Sequence, residues 1–65
     1  MSRSVVIEVG FPANPAARFA VGYALNLAKT HRLPVRFECD GKTRCVWGSD
    51  TMSRALRREF PELFR

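Results

Sequence analysis

Cys39, Cys45 and His31 are the only thiols and the only imidazole in the chain. They are the first residues to ask about chemistry. Three such ligands are one short of a structural zinc site, which takes four, in pairs two to four residues apart. A nucleophilic cysteine needs neighbouring positive charge to lower its pKa. Lys42 lies close to Cys39, but no base accompanies it. A general base needs an orienting partner and a substrate site, and no motif gives His31 either. His31 instead falls at a helix C-terminus, where a protonated ring complements the helix dipole. The expectation is a non-enzymatic chain with no catalytic residue, cofactor or metal.

Arginine is the other reactive population. Nine of the eleven basic residues are Arg, and the net charge is +5. Such a balance suits nucleic acid, an anionic surface or an acidic protein. Arg54, Arg57 and Arg58 fall on one face of a C-terminal helix, where they can contact phosphates or remain a solvated outer face. Arg36 and Arg44 extend that set from a hairpin. Val21 and Leu25 fall toward the polar side of a longer helix, near Arg18 and Lys29, and with Phe19 they form a candidate apolar patch for protein recognition. Phe37 and Trp47 read as core.

The elements that must position these groups follow in order. Residues 3–10 alternate as a half-buried first strand, with Val5, Ile7 and Val9 on one side. Asn14 before Pro15 is a helix N-cap followed by the first-turn proline. The helix runs from Pro15 to Thr30 or His31, with Ala16, Ala20, Tyr23, Ala24 and Leu27 facing a sheet. Pro34 bars its continuation. Val35–Cys39 and Lys42–Trp47 are strands around an Asp40-Gly41 turn.

A two-residue loop would pair Phe37 with Arg44 and put a charge on the apolar face. A three-residue loop pairs Glu38 with Lys42, Phe37 with Thr43 and Val35 with Cys45, so that register is expected. It places Cys45 in the core and Cys39 in the turn. Ser49 or Asp50 caps a second helix over residues 51–60, with Met52, Ala55, Leu56 and Phe60 inward. A last turn after Pro61 tucks Leu63 or Phe64 against the core.

The expected fold is α+β: residues 1–65 as one β-α-β-β-α domain, a three-stranded sheet with both helices on one face. A chain of this length buries only about 60% of its unfolded surface, so a partner or a second copy would help it. No apolar run is long enough for a membrane helix. Residues 1–4 lack the apolar segment of a secretory signal, so the expected location is cytoplasmic and the thiols are expected free.

Two resemblances arise from these residues. Asn14-Pro15-Ala16-Ala17-Arg18-Phe19, followed by a hairpin with Gly41-Lys42, resembles the opening of the histidine phosphocarrier of the sugar phosphotransferase system. Pro12 and Asn14 stand where that family has its phosphorylated histidine and its arginine, so phosphocarrier function is not carried over. The size, the element order and the run from Leu33 to Lys42 resemble the short accessory proteins of phages and mobile elements, including anti-CRISPR inhibitors. That resemblance implies an inhibitor or adaptor that binds a host protein or ribonucleoprotein complex with an acidic surface. The alternative is a small basic nucleic-acid-binding protein. The expected partner-binding residues are Arg36, Arg44, Arg54, Arg57, Arg58, Val21 and Leu25.

Overall fold

A computed structural model describes residues 5–64. The elements are β1 (Ile7–Val9), α1 (Ala17–His31), β2 (Val35–Cys39), β3 (Lys42–Val46) and α2 (Met52–Glu59), followed by a short 3-10 turn over Pro61–Phe64. The sheet order is β1-β2-β3, with β1 parallel and β3 antiparallel to β2. The parallel pair is possible because α1 carries the chain back between β1 and β2. One apolar cluster joins α1, the inner face of β2 and β3, and α2. Both helices thus lie on one face, as the periodicity predicts. The expected first strand is longer than the observed one. Val5 and Val6 are not in the ladder, and residues 3–4 lie outside the described residues.

The alanines of α1 explain its close seat on the sheet. Ala20, Ala24 and Ala28 are fully buried, and they alternate with buried Val21 and Leu25. The buried stripe is therefore two residues wide. This corrects the placement of Val21 and Leu25 on an exposed side. The helix meets β2 on one flank and α2 on the next, and a single-wall reading of the helix counts only the first. Tyr23 and Ala16, expected inward, are exposed.

Asn14 does not cap α1. The N-cap position is Ala16, with no side-chain hydrogen bond. Asn14 instead reaches across to the hairpin turn. Its Nδ2 donates to Asp40 Oδ1 at 2.7 Å, and its Oδ1 accepts from the Asp40 N–H at 2.9 Å. The turn holds Asp40 and Gly41 at φ 56° and 73°. Two consecutive positive φ values define the two-residue hairpin loop whose twist matches the flanking strands. The register is accordingly Cys39 with Lys42, Glu38 with Thr43, Phe37 with Arg44 and Val35 with Val46. The three-residue loop is overturned, and with it the inward placement of Cys45. Cys39 is buried and Cys45 only half-buried.

Thr51, rather than Ser49 or Asp50, caps α2, its Oγ1 accepting from the Arg54 N–H at 3.1 Å. Asp50 closes the preceding turn. Its N–H donates to the Trp47 carbonyl and its Oδ2 accepts from the Trp47 N–H, both at 3.0 Å. Leu63 and Phe64 remain exposed, against the expected tucking.

Candidate functional site

The observed register turns Arg44 inward. The residue is only 6% exposed. Its guanidinium lies 3.8 Å from the Phe60 ring centroid, and it donates to the carbonyls of Glu59 and, through Nε at 3.4 Å, of Cys39. Glu59 ends α2, so Arg44 places a cation at the negative end of that helix and satisfies one of its free carbonyls. It is a structural group and cannot meet a partner, which removes it from the expected binding set. Val46, two residues on along the same strand face, is buried as well.

Arg36 keeps its place on the open sheet face, in an ion pair with Glu8 of β1. Arg54, Arg57 and Arg58 do share one face, and with Thr51 and Ser53 they line a shallow concavity of about 560 Å³. The three are not equivalent. Arg58 makes a fork to both oxygens of Asp50, at 3.0 and 2.8 Å, and donates to Glu59 Oε2 at 2.9 Å and to the Cys45 carbonyl at 3.0 Å. The hydrogen bonds to Asp50 hold the Arg58 pKa further above its ordinary value, and the same contact holds the Asp50 carboxyl below its own. Arg57 lies over the Phe64 ring, 4.6 Å from the centroid. The Arg54 side chain makes no ion pair or hydrogen bond among the described residues.

Trp47 corrects another expectation. It is 45% exposed, with the Arg58 guanidinium 4.9 Å from its ring centroid. An exposed aromatic therefore adjoins the arginine face. The overturned register accounts for this: Arg44 and Val46 take the inner face, so Cys45 and Trp47 fall on the other side.

Val21 and Leu25 being buried, the apolar surface of α1 lies elsewhere. Phe19 and Tyr23 are 60% and 48% exposed. They form a cluster with Phe11, whose ring meets theirs edge-on at 6.2 and 5.9 Å. Phe11 also meets the buried Phe37 edge-on at 6.1 Å, which ties the cluster to the core. The signal for it was present: Ala20 and Ala24 are the residues small enough to face the sheet, so the large rings one position before each must stand at the rim.

The nucleophile candidates are quiet. Cys39 Sγ lies 3.6 Å from the Pro15 carbonyl. Burial, followed by the charge of Asp40 for Cys39 and of Glu59 for Cys45, pushes both thiols up. Both are thus held as thiols rather than thiolates at neutral pH. His31 is exposed in the last turn of α1. Among the described residues, no three His, Cys, Asp or Glu side chains gather into a metal-binding group, and no helix is long and apolar enough to cross a membrane. No protein-family model matches the chain, and no curated protein or solved structure is significantly similar to it.

Proposed function

We propose that this chain is a small non-enzymatic binding protein, an inhibitor or adaptor of the phage and mobile-element kind, acting in the cytoplasm on a host protein or ribonucleoprotein complex. One observation carries the recognition surface: Phe19 and Tyr23 stand exposed in a single aromatic cluster with Phe11. Large rings lose little conformational freedom on binding and dominate the energetics of protein interfaces. Arg54 and Arg57 supply a basic region for an acidic partner surface, whose main effect is on association rate and salt dependence.

A second reading, direct binding of single-stranded nucleic acid, is favoured by exposed Trp47 next to the α2 arginines. Bases stack on such rings while arginines hold phosphates. One experiment separates the two. The tagged protein is used to capture partners from host lysate with and without nuclease, beside the double variant Phe19→Ala, Tyr23→Ala. The protein-binding reading expects a stoichiometric complex that survives nuclease and is lost in the double variant. A complex that vanishes with nuclease and is retained by the double variant sinks that reading in favour of nucleic acid.

A further inference from the structure

A second concavity opens where α1 ends, and it shares no residue with the aromatic cluster. It measures about 380 Å³ and is lined chiefly by Lys29, Arg32, Leu33, Pro34, Trp47 and Gly48. That volume falls in the range of about 300–1,000 Å³ typical of small-molecule sites.

Its walls are fixed by specific contacts. Arg32 takes a left-handed conformation, φ 56°, which turns the chain sharply out of α1 toward Pro34 and β2. Gly48 brings the β3–α2 loop against the helix; a Cβ there would lie 3.1 Å from the Ala28 carbonyl oxygen. Lys29 Nζ ties the same loop down by donating to the carbonyls of Gly48 and Asp50, at 2.8 and 3.1 Å. Trp47 forms the aromatic wall. Arg58, itself locked to Asp50, lies over the indole and lines none of the cleft. The indole is thus braced from one side and open on another.

The charge of the cleft is one-sided. No carboxylate lines it, and Lys29 and Arg32 do. The C-terminus of α1 contributes about half a negative charge, outweighed by two full positive ones. The Arg32 guanidinium makes no ion pair or hydrogen bond among the described residues, so its fork of donors is free. A stacking wall, an apolar floor from Leu33 and Pro34 and a free guanidinium together define a ligand.

We propose that this cleft binds a planar aromatic group bearing a negative charge, with the ring against Trp47 and the anion on Arg32. A nucleotide and an aromatic carboxylate share that chemistry. The inference does not rest on the protein-binding reading and survives its failure.

Trp47 is the only tryptophan in the chain, so its fluorescence reports the cleft directly. The full chain is titrated with AMP, benzoate, adenosine and inorganic phosphate, and the Arg32→Gln variant is titrated in parallel after its melting curve is checked. The same ligands are followed by calorimetry, which does not depend on the indole. Saturable binding of AMP or benzoate is expected. Adenosine and phosphate alone should bind about tenfold or more weakly, as should AMP or benzoate to Arg32→Gln. Binding by AMP alone would assign the site to nucleotides, and by both to aromatic anions in general. No saturation by either up to on the order of 10 mM would overturn the proposal. So would equal binding by adenosine, or binding untouched by Arg32→Gln. Oligonucleotide binding without mononucleotide binding would overturn it too, and would favour the nucleic-acid reading.

Discussion

The corner where β3 meets α2 and the outer flank of α1 invert the usual disposition of side chains. At the corner, Arg44 is buried and Arg58 is held in a network with Asp50, Glu59 and a strand carbonyl. On the flank, Phe19 and Tyr23 face solvent. The difference lies in what each group can find nearby. The corner offers the carbonyls at the end of α2, the Phe60 ring and a buried carboxylate, so a desolvated cation is matched there. The flank is bounded by Phe11 and otherwise unpartnered among the described residues. Charge in this molecule therefore holds the fold at the corner, and apolar surface is left facing solvent on the flank.

The comparison breaks most severely at Arg44. Arg44→Ala should destabilise the domain by about 3 kcal/mol, from a cavity beside Phe60 and carbonyls left without a donor. The midpoint of urea unfolding would fall with little change in slope. A midpoint unchanged from wild type would mean that the inward arginine contributes nothing.

A smaller effect is expected at Asp50. Asp50→Asn should cost about 1–2 kcal/mol at neutral pH, since hydrogen bonds to charged groups exceed neutral ones. The lower half of that range is favoured because the Arg58 side chain is more than a third exposed and screened by solvent. The contact lowers the carboxyl pKa on folding. Its stabilisation is therefore present above the unfolded value of about 3.9 and lost as pH falls through the folded value. Unfolding curves of wild type and Asp50→Asn should converge on acidification below about pH 4 and diverge again toward neutrality. A gap that stays constant across that window would refute the linkage.

The smallest change in stability belongs to the flank. Phe19→Ala with Tyr23→Ala should shift the unfolding free energy by less than about 1 kcal/mol while abolishing partner capture. A loss as large as that of Arg44→Ala would show that the rings are core and not a docking surface.

Much of this arrangement was legible from residue patterns. Alternation through Val35 and Phe37 gives the inner face of β2, the Asp40-Gly41 pair marks the hairpin, and Met52, Ala55, Leu56 and Phe60 give the buried side of α2. What was hidden depended on contacts distant in the chain. The register went wrong on the premise that a charge spoils an apolar face. Arg44 evades it through its stem, its flat guanidinium and acceptors that α2 brings from fifteen residues away. Asn14 has the chemistry of a cap, but the turn at Asp40 offered it two hydrogen bonds instead of one. Val21 and Leu25 required a second wall that exists only once α2 has docked. Of the expected binding residues, Arg36, Arg54, Arg57 and Arg58 remain at the surface, and Phe19 alone of the expected apolar patch stays exposed, whereas Tyr23 and the cleft beside Trp47 were found only when the packing was known.

The Arg58 contact with the Cys45 carbonyl also governs how the sheet could grow. β3 is one margin of the sheet and β1 the other. On β3 an outward carbonyl is already occupied by a guanidinium, and a long charged side chain across a strand margin is a known barrier to further pairing. Any strand added by another copy is thereby directed to β1. Two chains joined through their β1 strands would each present a blocked margin outward, and the assembly would terminate at a symmetric pair instead of propagating as a filament.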